Sequence, residues 1–213
     1  YDAEDCQVEV CNNDGGFPTC ATVTICEMVS STRWRCDLTE ADAGSQIWVV
    51  EDYDETPTNS YEAWGTYWHD AVDEYGVVYL TSSEFCCQVT EQGDQVIDYI
   101  DVLGSDYGDK IYFHYFEDDV NYNLQATPNQ TVLLTATVKA GAGNDSISGS
   151  DVDPSTYSET LEGGDDDDTI KGNLGGNAST EILNGDAGDD NLFTNQGGGV
   201  ANGGLGNDTI VGG

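Results

Sequence analysis

The stretch GGLGNDTIV, residues 203–211, sets glycines, one aspartate and one aliphatic residue in a fixed order. Three earlier segments share this order when each is aligned on one aspartate, so the anchors are Asp145, Asp168, Asp190 and Asp208. An aliphatic residue follows each anchor by two positions, and another small or aliphatic residue precedes it by seven. Each unit therefore reads as two short strand positions nine residues apart, with a glycine-rich and acidic turn between them.

The repeat resembles the RTX family of calcium-binding nonapeptides, G-G-x-G-x-D-x-U-x, in which U is a large aliphatic residue. The final copy matches every defined position, whereas the others depart from the pattern with Ala140, Asp166 or Asp186 in a glycine position. The resemblance implies a parallel β-helix, or β-roll, with two nonapeptides in each turn. The anchors are 23, 22 and 18 residues apart, so we expect extra loops opposite the glycine motif in the first two turns.

The chemistry of these turns favours calcium. Glycines permit turns that aim backbone carbonyls inward, and the aspartate adds a charged oxygen. Stacked strands lie about 4.7–4.9 Å apart, so an ion midway between two turns is about 2.4 Å along the axis from each, close to the Ca²⁺–oxygen distance. Four stacked turns enclose three gaps, and we expect about three Ca²⁺ ions. The predicted metal-site residues are Asp145, Asp168, Asp190, Asp208, Asn144, Asp167, Asp189, Asn207, Gly141, Gly143, Gly164, Asp166, Asp186, Gly188, Gly204 and Gly206.

Two other interpretations of the repeat stay open. Its glycines also suit a β-solenoid that needs no metal, and its composition suits a flexible acidic linker. The four consecutive aspartates at 165–168 favour the cation, because packing so many like charges without one is costly.

The charge of the whole chain points to cations as well. The 213 residues hold 41 acidic and 5 basic side chains, a formal net charge of -36. Such a chain repels phosphate backbones and anionic membrane surfaces, so we expect no nucleic-acid partner. The 4 Trp, 12 Tyr and 5 Phe argue against simple disorder. No segment approaches the length of about 18 apolar residues that a membrane span needs.

The cysteines indicate an oxidising compartment. Zinc is disfavoured because the sequence has no C-x-x-C pair and only two histidines. Disulfides are therefore expected, in an extracellular or cell-surface protein. An odd number leaves one thiol free or bonded to another chain, and the sequence does not give the connectivity. The seven candidates are Cys6, Cys11, Cys20, Cys26, Cys36, Cys86 and Cys87.

The sequence predicts an all-β chain in three parts. Residues 1–94 hold every cysteine and tryptophan in short alternating runs, which predicts a disulfide-bonded β domain. Residues 95–138 contain further strand-like segments, such as the one from Val102 to Ile111, that resemble degenerate first turns of the solenoid. Residues 139–213 form the RTX-like β-roll.

Catalysis has little support in the sequence. It contains no G-x-S-x-G, H-E-x-x-H or P-loop motif, and we expect a protein that is not an enzyme. The aromatic segment around Trp64 and Trp68 fits a core or an intersubunit contact better than a glycan platform. Asn129 and Asn177 stand in N-x-[ST] sequons that could carry glycans.

The predicted function is structural. The chain opens on Tyr1 and closes on a complete repeat, from which we expect a processed product with an uncapped solenoid end. An uncovered β edge is a pairing site, so we predict head-to-tail self-association into an extracellular fibre, adhesin or matrix component. The alternatives are a fragment of a longer repeat protein, a glycan-binding module and an accessory domain of a secreted exoenzyme.

Overall fold

A computed structural model of the chain describes residues 6–12, 19–52, 60–91, 97–115, 134–149, 157–172, 180–194 and 199–212. Within these ranges all regular secondary structure is β-strand, so the predicted all-β fold is confirmed. In the described part no helix is long and apolar enough to cross a membrane. The sequon residues Asn129 and Asn177 lie outside the described residues.

The strands form two eight-stranded sheets. Sheet A contains, in spatial order, β1 (Cys6–Asn12), β2 (Thr19–Ser30), β3 (Arg33–Asp37), β7 (Tyr99–Leu103), β9 (Leu134–Ala142), β11 (Tyr157–Asp165), β13 (Thr180–Ala187) and β15 (Val200–Leu205). Sheet B contains β16 (Thr209–Val211), β14 (Asn191–Phe193), β12 (Thr169–Lys171), β10 (Ser146–Ser148), β8 (Lys110–Tyr115), β4 (Gln46–Asp52), β5 (Ser60–Val72) and β6 (Val78–Thr90).

Two kinds of strand pairing share these sheets. The N-terminal strands pair antiparallel, β1 with β2, β2 with β3, β4 with β5, and β5 with β6. From β7 onward the chain alternates between the two sheets. Each of these strands pairs in parallel with the strand of the same sheet that precedes it in this alternation, beginning with β7 on β3 and β8 on β4. The structure thus shows two sheets with a parallel region, while the parallel β-helix implied by the resemblance stays a prediction.

The core between the sheets is built from the aliphatic positions of the repeat. In sheet A, Val102, Val138 and Leu161 follow one another in register and are fully buried. A second column of buried aliphatic residues lies in register across sheet B. It consists of Ile47, Ile111, Ile147, Ile170 and Leu192. Each buried side chain of this size stabilises the fold by about 1.5–3 kcal/mol relative to exposure. Stacked passes therefore hold each other through two columns of aliphatic residues.

Three disulfides close the N-terminal end of the sheets. Cys11–Cys20 links β1 to β2, and Cys26–Cys36 links β2 to β3, in each case between residues paired across the strands. Cys6–Cys87 joins β1, at the edge of sheet A, to β6, at the edge of sheet B. Cys86 is free and exposed. The prediction of disulfides is confirmed, and the odd cysteine is the neighbour of a bridged one.

The parallel pairing does not begin at the repeats. Strands β3 and β4 lie within the part predicted as a separate cysteine-rich domain, yet they pair with β7 and β8 as the later passes pair with each other. Strands β7 and β8 occupy the segment 95–138 predicted as transitional. The three-part division of the chain stays a prediction.

Candidate metal centre

The four repeat turns that lead from sheet A to sheet B share the same unusual backbone. In each repeat the residues four and two positions before the anchoring aspartate have positive φ, the left-handed region that favours glycine. Asp166 and Asp186 adopt it with φ of 78° and 72°. Aspartate tolerates this conformation better than most residues, which explains how it replaces glycine there. The other six positions are Gly141, Gly143, Gly164, Gly188, Gly204 and Gly206.

Each anchoring aspartate stands immediately before a strand of sheet B, and the aspartates are bonded in a row. The Oδ1 atom of Asp168 accepts the backbone N–H of Asp145 at 2.8 Å. The same bond joins Asp190 to the N–H of Asp168 at 2.8 Å, and Asp208 to the N–H of Asp190 at 3.2 Å. Every carboxylate thus lies in the gap between its own turn and the preceding one. We call this row, which also includes Asp109, the aspartate ladder.

Asp109 is a member of the ladder that the sequence prediction missed. Its N–H donates to Oδ1 of Asp145 at 2.6 Å, as in the later rungs. Its own Oδ1 accepts the N–H of Ser45 at 2.5 Å, so Ser45 is the first backbone donor in the row of hydrogen bonds. The available signal was the position of Val102 and Ile111, seven residues before and two after Asp109, which is the spacing of the repeats.

The interior of the ladder contains carboxylate oxygens without a protein partner. Asp145, Asp168 and Asp190 are 3%, 0% and 1% exposed. The buried Oδ2 atom of each makes no hydrogen bond with any residue in the described part of the chain. Burying a charged oxygen without a partner is costly, and it is expected only where a counter-ion or a proton compensates.

The electrostatics of the ladder point in the same direction. Burial raises the pKa of Asp145 to about 8, with a smaller contribution from the carboxylate of Asp168. Burial likewise raises the pKa of Asp168 to about 7, and neighbouring carboxylates including Asp190 add to it. The pKa of Asp190 is also raised by burial. Without a cation Asp145 and Asp168 hold protons near neutral pH, whereas a bound divalent ion would favour their charged forms.

Glycines leave room for the carboxylates. A Cβ atom on Gly163, Gly185 or Gly203 would collide with the carboxylate of Asp168, Asp190 or Asp208, five residues later. In these three repeats the first glycine of the motif therefore leaves the space that the carboxylate occupies. In the first repeat this position is Ala140, which is fully buried.

The residues just before the anchors form a second row at the surface. Asn144, Asp167, Asp189 and Asn207 are exposed. Oδ1 of Asp167 accepts the N–H of Asp189 at 2.8 Å, and Oδ1 of Asp189 accepts the N–H of Asn207 at 2.8 Å. These bonds run from each turn to the next, opposite in direction to those of the ladder. Their predicted role as metal ligands stays a prediction.

Two buried acidic residues also lie near the strand ends opposite the aspartate ladder. Glu159 and Glu181 pair in register on β11 and β13 and are buried. Each stands nine residues, one repeat length, before an anchoring aspartate. A Cβ on Gly149 or Gly172 would collide with one of their carboxylates. Neither residue was predicted from the sequence, because a glutamate stands where the motif has an aspartate.

The aromatic residues considered for glycan binding divide between the core and the outer face. Tyr61 and Tyr67 are buried. Trp64 lies on the outer face of sheet B and stacks on Trp48, with ring centroids 4.3 Å apart, and Trp48 stacks on Tyr112 at 5.5 Å. These outer rings are half-buried and turn their faces toward each other.

Comparison with known families identifies the class of the C-terminal part. A family model for the RTX calcium-binding nonapeptide repeat, in four copies, matches residues 136–151, 155–177 and 175–210. RTX nonapeptide repeats bind Ca²⁺, and proteins that carry them are typically secreted. The predicted RTX resemblance is thus confirmed for the C-terminal part. Searches among curated proteins and among solved structures found no match.

Proposed function

We propose that this is a secreted or cell-surface structural protein whose C-terminal part is a parallel β-roll stabilised by Ca²⁺ between stacked turns. The observation that carries the proposal is the row of buried Oδ2 atoms on Asp145, Asp168 and Asp190, for which the described ranges supply no hydrogen-bond partner. Carboxylate and main-chain oxygens are the ligands that Ca²⁺ prefers. The proposal assigns no catalytic step to any residue.

The residues fit a calcium ion in each gap between repeat turns. Asp168, Asp190 and Asp208 would each supply one carboxylate to a gap, and the left-handed turns would supply main-chain carbonyl oxygens. This gives about three ions in the repeats, bound by hard oxygen donors in a flexible backbone cage. Mg²⁺ fits less well because it requires shorter bonds and a stricter octahedron. The bound ions would neutralise carboxylates that burial otherwise penalises.

Calcium is expected to control the folding of this region. The sites exist only when turns are stacked, so binding free energy adds directly to the stability of the stacked state. The sheet B strands of the repeats are three residues long, too short to hold a sheet together without their neighbours.

The test is far-UV circular dichroism and thermal melting of the full chain in Ca²⁺, in Mg²⁺ and in chelator. We expect β-structure and the melting temperature to fall in chelator, to recover with Ca²⁺, and to recover poorly with Mg²⁺. An unchanged spectrum and melting temperature after calcium removal would refute the proposal.

The structural role is supported by the edge that β15 and β16 leave exposed. Ile210 is 50% exposed, although the residues at the same position in earlier passes are buried. Val200 and Leu205 on β15 are 63% and 75% exposed. Exposed strand edges with apolar side chains pair readily with another chain. We propose that this edge receives the opposite end of a second copy, a head-to-tail contact that does not close and therefore extends into a filament.

Sedimentation analysis and electron microscopy of concentrated protein in Ca²⁺ test this contact. We expect calcium-dependent assemblies that Ile210→Lys abolishes, with the exposed Thr209→Lys on the same strand as the charge-matched control. A strictly monomeric wild-type protein in Ca²⁺ would contradict self-assembly and leave calcium binding unaffected.

A further inference from the structure

We propose a further cation site, the junction site, at the border of the nonapeptide repeats, in the gap between the non-repeat turn at residues 105–109 and the first repeat turn at residues 141–145. Its carboxylate ligand is Asp145. This inference rests on the proposed calcium function and extends it to a turn that the family model does not match.

The position of the Asp145 carboxylate is the first argument. Its Oδ1 atom accepts the N–H of Asp109, so the group lies on the side of the non-repeat turn. The three gaps between repeat turns hold the carboxylates of Asp168, Asp190 and Asp208 instead. Asp145 therefore serves none of those gaps, yet it is 3% exposed and its buried Oδ2 atom has no hydrogen-bond partner among the described residues. An unpartnered oxygen of this kind calls for a cation in the fourth gap.

The walls of this gap are built from main chain, as a calcium site requires. The carbonyl of Ser105 accepts the N–H of Ala142 at 3.3 Å. A Cβ on Gly108 would lie 2.6 Å from the carbonyl oxygen of Asn144, and one on Gly143 would meet the backbone of Tyr107. The two turns thus stack backbone against backbone. Both walls of the gap therefore carry main-chain carbonyl groups, and carbonyl oxygens together with a carboxylate are the hard donors that Ca²⁺ prefers.

Asp109 shows why the row of cations would end at this gap. Its Oδ2 atom accepts the N–H of Ser105 at 2.6 Å, and the Ser105 hydroxyl lies 3.1 and 3.0 Å from its two oxygens. Its Oδ1 atom also accepts the N–H of Ser45. The position equivalent to Ser105 in the next turn is Gly141, which offers no hydroxyl group. Protein donors therefore satisfy Asp109, whereas Asp145 lacks the serine and needs a cation.

Calcium counting tests this assignment. Wild-type protein, Asp145→Asn and the control Asp106→Asn would be equilibrated with Ca²⁺, and the bound metal measured per chain. Asp106 lies in the adjoining turn, is exposed and carries the same charge. We expect Asp145→Asn to lose about one bound ion and Asp106→Asn to lose none. If Asp145→Asn kept the wild-type count, the junction site would be refuted while the repeat sites stood. A wild-type protein that bound no Ca²⁺ would refute the proposed function itself.

Anomalous diffraction from wild-type crystals grown in Ca²⁺ gives an answer that does not depend on a variant folding. We expect an anomalous peak beside Oδ2 of Asp145 and none beside the oxygens of Asp109. Peaks beside Asp168 and Asp190 without one beside Asp145 would overturn the inference.

Discussion

The N-terminal and C-terminal strands extend the same two sheets, but different chemistry holds them. At the N-terminal end β5 and β6 form a hairpin of two 13-residue strands, and Cys6–Cys87 ties the edges of the two sheets together. At the C-terminal end the sheet B strands are three residues long, every cysteine is far away in sequence, and buried aspartates replace the covalent links.

This difference separates permanent from conditional stability. A disulfide stabilises mainly by restricting the unfolded chain, and it does so whatever ions are in solution. A cation site contributes only when the ion is present and the turns are stacked. Under the proposed function, the N-terminal end would be a fixed surface on which the repeat turns stack when Ca²⁺ binds. Four predictions test this contrast, and they run from the largest expected effect to the smallest.

The largest effect concerns pH in the absence of calcium. The pKa of Asp145 is raised from 3.8 to about 8 and that of Asp168 to about 7, so the folded state binds protons that the unfolded state releases. For such groups stability is fully present below the unfolded pKa and is lost as pH rises through the folded pKa. A tenfold difference in proton affinity between the two states corresponds to about 1.4 kcal/mol. Calcium-free repeats should therefore be more stable at pH 5.5 than at pH 8.

Hydrogen exchange of calcium-depleted protein at several pH values, corrected for the intrinsic rate, measures this effect. Amides of β9–β14 should lose protection as pH rises, while those of β5 and β6 stay protected. The Asp145→Asn, Asp168→Asn double variant should flatten the dependence. Equal losses in both regions would contradict the assignment to the ladder.

The second largest effect on stability is expected from removing the disulfide that joins the two sheets at the N-terminal end. Cys87→Ser removes the bridge to Cys6, which spans 81 residues, and should lower the free energy of unfolding by about 4 kcal/mol. The adjacent Cys86→Ser removes only a free, exposed thiol and is the matched control. Denaturant unfolding in saturating Ca²⁺ and in chelator provides the measurement. We expect the loss to be similar in both conditions, and a loss seen only in chelator would show that the two ends are not independent.

The effect of Asp168→Asn on stability should change sign with calcium, so that the variant is destabilised in Ca²⁺ and stabilised in chelator. In saturating Ca²⁺ the variant loses a ligand, and the loss of an ion bound at about 100 times its dissociation constant costs about 3 kcal/mol. In chelator at pH 8 the same substitution removes a buried charge that has no partner for Oδ2, so it should stabilise the repeats. Thermal melting in both conditions decides this, with exposed Asp165→Asn as the control. Destabilisation of equal size in both conditions would indicate a purely structural carboxylate.

The sequence predicted the features that depend on local spacing, and it did not predict those that depend on contacts between distant parts of the chain. The repeat period located Val138, Ile147 and Leu161 correctly because burial imposes a strict spacing on aliphatic residues. It could not give the disulfide partners, since Cys6 and Cys87 meet only after both sheets have formed. Asp109 escaped because side chains occupy the positions where its turn would need glycines to match the motif.

The smallest effect tests the backbone of the turns. Asp186 has φ of 72° where the motif has glycine, and a non-glycine residue in this region costs about 1–2 kcal/mol, less for aspartate. Asp186→Gly relieves this backbone strain, but glycine also has greater conformational entropy in the unfolded chain, which offsets part of the gain. We expect a net stabilisation of about 0.5 kcal/mol, and so a slightly higher melting temperature in Ca²⁺. Asp186→Ala at the same site removes the same charge without relieving the backbone, and it should destabilise. If both variants shifted the melting temperature equally, the lost charge rather than the left-handed turn would explain the effect. An unequal shift would show that the stability of the C-terminal end depends on the left-handed geometry of its turns.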